Sequence, residues 1–265
     1  MDSNSTAPEV AQPEFKHQIA LPSKVALFIQ MRFNGQVLSS GSGFIHKCAS
    51  GKFYLVTNRH NVTGRRQNTN ECLSKNLAVP NEISVFVHTT EEPGEWTEAV
   101  LPLYDGESPR WKEHPTLGAR ADFVAVPIVA EFPQSYSWWF HDDAGEYEQA
   151  VAPAETVSVV GFPFGKSYAG YYPIWATGFV ASEPTIDYDD LPIFLIDCRS
   201  RQGQSGSPVI KHSNGGTILL RNGKGVMGAG ITTTWLGIYS GRISPESDIG
   251  IVWKKQAVLE LLHSI

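Results

Sequence analysis

Three segments, far apart in the chain, carry side chains that could together activate a nucleophile. The first is the run Arg199-Ser200-Arg201-Gln202-Gly203-Gln204-Ser205-Gly206-Ser207-Pro208. Gly203 allows a tight, left-handed turn in which successive N–H groups face one spot, and Gly206 leaves room above the Ser205 hydroxyl. The same composition would also suit a plain turn between strands. A serine hydroxyl is a weak nucleophile at neutral pH and needs a base beside it. His60 offers one, in a short turn that ends at Gly64 and follows the apolar run Phe53 to Thr57. Asp122 leads directly into the apolar run from Phe123 to Pro127. A carboxylate so placed is costly to bury unless donors receive it, so it either caps a turn or holds the imidazole. The chain order is His60, Asp122, Ser205, with separations of 62 and 83 residues. Hydrolases built on such a triad fall into groups that differ in the order of the three residues along the chain.

The elements that must position these residues read as strands. The 24 glycines and 17 prolines are scattered through the 265 residues rather than clustered, which favours many short elements joined by turns. Apolar runs at Val25–Phe33, Phe53–Thr57, Ile83–His88, Trp96–Leu103, Thr156–Val160, Ile174–Ala181, Pro192–Cys198, Leu236–Ser240 and Ile249–Trp253 predict strands. Asn34-Gly35 and Asn222-Gly223 mark hairpins. Lys254 to Leu262 changes to helical spacing, with Ala257, Val258, Leu261 and Leu262 on one face. An all-β fold of two packed antiparallel barrels with a C-terminal helix fits this pattern, because a βαβ arrangement would need helices between the strands. The expected divisions are a polar lead-in at 1–22, an N-terminal barrel at 23–134 with His60 and Asp122, an inter-barrel linker at 135–154, and a C-terminal barrel with the helix at 155–265. Trp138, Trp139 and Phe140 in that linker are expected to pack between the halves.

Composition narrows the function. The formal net charge of −6 argues against a nucleic-acid backbone as partner. No apolar run is long enough to span a membrane, and the N-terminal residues lack a secretory pattern. Cys48, Cys72 and Cys198 are few and widely spaced, which points to a reducing, cytoplasmic setting. The eight histidines show no metal-binding spacing, so neither a metal nor another cofactor is expected.

Thr57-Asn58-Arg59-His60, Ala121 to Val126 and Gly203 to Pro208 resemble the three signatures of trypsin-like, chymotrypsin-fold serine peptidases, and most nearly bacterial intracellular members. Gly41-Ser42-Gly43-Phe44-Ile45 and Gly161 to Gly165 also resemble segments of the high-temperature-requirement protease branch. The resemblance covers about residues 24–253 and implies two six-stranded barrels. It implies His60 as general base, Asp122 as its orienting partner, Ser205 as nucleophile, and the N–H groups of Gly203 and Ser205 as an oxyanion hole. Leu236 to Gly241 resembles the strand that pairs with an extended peptide substrate, with Ser240 behind Asp122 and Gly241 and Arg242 lining the specificity pocket. Arg199 takes the position at the pocket's base. Two arginines there would favour an acidic residue before the cut if they point inward, and would do nothing if they swing to solvent. Gln204 replaces the aspartate that in secreted relatives pairs with a newly cut N-terminus, so activation by that route is not expected. A peptidase, a non-peptidase esterase and an inactive module that binds a peptide in the same groove all stay compatible with the sequence.

Overall fold

In a computed structural model, the described residues are 19–88, 94–128, 149–228 and 230–265. The expected lead-in at 1–22 and linker at 135–154, including Trp138, Trp139 and Phe140, fall largely outside them. The first half forms a six-stranded sheet: β1 (Leu27–Phe33), β2 (Gln36–Lys47), β3 (Phe53–Thr57), β4 (Glu82–His88), β5 (Trp96–Pro102) and β6 (Val124–Pro127). Its order is β5-β4-β1-β2-β3-β6, with every pairing antiparallel. The second half is a closed barrel of β7 (Thr156–Gly161), β8 (Ile174–Val180), β9 (Ile193–Asp197), β10 (Pro208–Ser213), β11 (Thr232–Arg242) and β12 (Ile249–Lys254), ordered β8-β9-β12-β11-β10-β7. The all-β, chymotrypsin-like fold therefore stands. One half closes fully, whereas among the described residues no ladder joins β5 to β6 in the other.

Two short elements differ from the expectation. Leu21–Val25 is a helical turn, α1, with a proline in its first turn, so β1 begins at Leu27 rather than Val25. Arg59–Thr63 forms the short helix α2, which Gly64 ends in a left-handed conformation at φ +62°. The closing helix α3 spans Lys255–His263 and buries Ala257, Val258, Leu261 and Leu262. Among the described residues, no helix is long and apolar enough to cross a membrane.

The apolar runs are continuous because both faces of the central strands are covered. Leu55 on β3 and Val124 and Val126 on β6 point into the first sheet's own core with Leu27, Ile29 and Leu101. The alternating neighbours Tyr54, Val56, Phe123 and Ala125 face the other way. There they meet Val160, Ile210, Trp235, Trp253 and the apolar face of α3. This shared core presses the two halves together, and residues at the strand ends beside it are brought into reach of one another.

Candidate active site

Register brings the first two candidates together. Thr57, the last residue of β3, pairs with Val124 near the start of β6. Because the strands run antiparallel, the residues after Thr57 lie beside those before Val124. Asn58 Nδ2 accordingly donates to the Asp122 carbonyl at 2.6 Å. The Asp122 carboxylate turns to the next turn of chain: Oδ1 accepts the His60 backbone N–H at 3.0 Å, and Oδ2 lies 2.7 Å from His60 Nδ1. A carboxylate only accepts, so Nδ1 carries the proton and Nε2 is left as the basic nitrogen. The Asp122 side chain is 3% exposed and that of His60 16%, so the acid is shielded while the imidazole still reaches the surface.

The second barrel supplies the other side. Gly206 N–H donates to the Tyr239 carbonyl and Tyr239 N–H to the Ser207 carbonyl, each at 2.9 Å. These bonds extend the β10–β11 ladder backwards and set the serine turn beside Ser240. Ser240 Oγ donates to Asp122 Oδ2, giving the buried carboxylate a third donor. The Ser205 carbonyl accepts the Ser42 N–H at 2.9 Å and Asn61 Nδ2 at 3.3 Å, and Asn61 is the residue next to His60. Asn61 Nδ2 also donates to Thr57 Oγ1, whose hydroxyl donates to the Ser42 carbonyl at 2.8 Å. Ser205 is thus fastened by its backbone to β2 and to the helix that carries His60.

At Gly203 the turn has the conformation glycine was expected to provide. Gly206, expected to leave room above the Ser205 hydroxyl, instead lets the turn close on β2, since a Cβ there would stand 2.0 Å from the Ser42 carbonyl oxygen. Gly203 and Gly206 lie at φ +94° and +90°. A Cβ on Gly203 would fall 2.4 Å from the Phe162 carbonyl oxygen, so no larger residue fits. Among the described residues, the N–H groups of Gly203 and Ser205 have no acceptor. Ser42, Thr57, Asn58 and Asn61 went unnoticed as contributors in the sequence. The available signal was polar side chains set against apolar strands, where burial demands a partner.

The residues expected around the specificity pocket differ in exposure. Arg199 is exposed, and Arg242 is half-buried with Nη1 3.4 Å from the Ser247 carbonyl. Gly241 follows a register shift in β11 and stands at φ +143°. Ser200, next to Arg199 in the chain, shares a buried hydrogen bond through its Oγ with the Tyr239 hydroxyl. Burial pushes the Tyr239 hydroxyl pKa up to about 12, so it stays neutral. The cysteines are free thiols, and burial pushes that of Cys198 up to about 11.

Comparison with known proteins agrees with this layout. Among solved structures, the thermostable serine protease AL20 from an extremophilic microorganism is 13% identical over 92% of this chain and 98% of its own, with a TM-score of 0.52. The protease Anisep from Arthrobacter nicotinovorans is 13% identical over 92% and 96%, with a TM-score of 0.50. A serine endoprotease from Yersinia pestis is 17% identical over 91% of this chain and 64% of its own, with a TM-score of 0.49. At such identities AL20 and Anisep speak for the fold alone. Comparison with curated protein sequences finds no match. The family described as trypsin-like peptidase domain matches residues 41–218, more than half of the chain and a span that includes His60, Asp122 and Ser205. The chain therefore belongs to the trypsin-like peptidase domain family.

Proposed function

We propose that the protein is a serine endopeptidase. The observation that carries this reading is the bonded set His60–Asp122–Ser240 at the junction of the two halves, with the Ser205 backbone tied to the same junction through Ser42 and Asn61. His60 Nε2 takes the proton of the Ser205 hydroxyl as its oxygen adds to the scissile carbonyl. Asp122 holds the ring in the required tautomer and stabilises the imidazolium that forms. The oxyanion of the tetrahedral intermediate accepts hydrogen bonds from the Gly203 and Ser205 N–H groups, whose lack of an acceptor among the described residues fits that use. The imidazolium returns its proton to the leaving amine, and water, deprotonated by the same ring, then hydrolyses the acyl-enzyme.

An extended peptide would add as a strand along Ser240, Gly241 and Arg242, held by main-chain hydrogen bonds. Arg199, being exposed, leaves Arg242 as the residue to read the side chain before the cut, with a preference for Asp or Glu there. The free thiols are compatible with a cytoplasmic setting. The test is cleavage of casein, with mass spectrometry of the products. Wild type should yield new peptides and Ser205→Ala none. Equal cleavage by both, or none by either, contradicts the assignment. Products without enrichment of Asp or Glu before the cut contradict the role given to Arg242 alone.

A further inference from the structure

In the turn from Gln202 to Ser205, three consecutive carbonyls are anchored. The Gln202 carbonyl accepts the Phe164 N–H, the Gly203 carbonyl accepts Ser42 Oγ at 2.9 Å, and the Gln204 carbonyl accepts the Ser207 N–H at 2.9 Å. In a trans peptide the C=O and the following N–H point in opposite directions. Anchoring the Gln202 and Gln204 carbonyls therefore turns the N–H groups of Gly203 and Ser205 away from Phe164 and Ser207, and neither finds an acceptor among the described residues.

Two of the restraints on this turn come from side chains that no catalytic role uses. Ser42 is fully buried; its hydroxyl donates to Gly203 and accepts the Phe162 N–H at 3.2 Å, bridging two loops of the second barrel from a strand of the first half. Gln204 is fully buried too, and its Oε1 accepts the Arg201 N–H at 2.7 Å while its own N–H reaches the Arg201 carbonyl at 3.2 Å. That reciprocal pair closes the turn on itself. We propose that Ser42 and Gln204 are positioning residues that hold the oxyanion turn with both donors forward in the ligand-free protein, with no charge from a cut N-terminus required. The inference rests on the oxyanion hole assigned under the proposed function.

The test uses a quenched-fluorescent peptide taken from a site in casein that wild type cleaves. Ser42→Ala keeps the backbone bonds of residue 42 and loses only the bridge. Gln204→Met keeps the volume and loses the acceptor, whereas Gln204→Glu keeps an acceptor and exchanges the amide for a carboxyl group, giving up Nε2, which is unpartnered among the described residues. Ser42→Ala and Gln204→Met should each lower kcat about 10- to 100-fold, less than or equal to losing a whole donor, with KM unchanged to within about threefold. Gln204→Glu should keep kcat within about threefold of wild type. Circular dichroism of each variant should match wild type. An active wild type whose Ser42→Ala and Gln204→Met variants keep their kcat overturns this inference and leaves the peptidase reading intact. So does an equal loss in Gln204→Met and Gln204→Glu, or a loss expressed in KM. A wild type that cleaves nothing overturns both.

Discussion

Asp122 holds His60 at two points, taking the backbone N–H on one carboxylate oxygen and facing ring Nδ1 with the other. The first bond sets where the residue sits, and the second sets which ring nitrogen is free. Replacing the carboxylate by an amide keeps the shape and the first bond but allows the ring to settle in the wrong tautomer. Asp122→Asn should retain the fold by circular dichroism and lose about four orders of magnitude in kcat. Activity within about tenfold of wild type would remove Asp122 from the mechanism.

Ser240 offers a milder perturbation of the same carboxylate. Its hydroxyl is one of three donors on Asp122, so Ser240→Ala leaves the acid partly satisfied. A hydrogen bond to a charged group contributes about 1.5–3 kcal/mol, which sets the expected loss at about ten- to a hundredfold in kcat. Steady-state kinetics on a peptide substrate should show that loss, well short of the Asp122→Asn effect. Losses of equal size in the two variants would contradict the division of roles.

Gly206 lies where the two halves meet. A Cβ there would stand 2.0 Å from the Ser42 carbonyl oxygen and 2.6 Å from Thr57 Oγ1, on a backbone at φ +90°. Gly206→Ala should therefore cost at least about 2 kcal/mol of stability in urea denaturation and abolish cleavage. An unchanged midpoint would show that the junction yields more readily than this packing implies.

His88 gives the fold a dependence on acid. It is buried on β4, with its ring centroid 3.7 Å from that of Trp96. Burial, aided by the charge of Lys24, pushes its pKa down to about 4 from the usual 6.5. Below pH 6.5 the unfolded chain therefore binds a proton that the folded one refuses. Stability from this group is complete above about pH 6.5 and falls progressively towards about pH 4, by up to about 3 kcal/mol. Between about pH 7.5 and about pH 4.5 the urea midpoint of wild type should fall relative to that of His88→Phe. Parallel trends would assign the acid sensitivity to other groups.

Most strands and the closing helix were legible because their apolar patterning is strong. β3, predicted at Phe53–Thr57, occupies those residues, and the helix is displaced by a single residue at each end. The boundary at Val25 is not legible because Val25 and Ala26 run without a break into the apolar residues of β1, and the local mark of the helical turn is Pro22 near its start. The open edge between β5 and β6 depends on long-range pairing that local pattern does not encode. His60, Asp122 and Ser205 stood out by residue type and order. Ser42, Thr57 and Asn61 did not, since a hydroxyl or amide becomes informative only once its distant partner is known. The pocket arginines were read from position alone, and the solvent exposure of Arg199 depends on packing around it that position does not specify.

The central claim is that Ser205 is a nucleophile activated by His60. A fluorophosphonate probe, followed by peptide mapping, measures this without knowledge of the natural substrate. Wild type should be labelled on Ser205, and both Ser205→Ala and His60→Ala should stay unlabelled while folded. Absence of label on folded wild type, or label that persists in Ser205→Ala, would contradict the account.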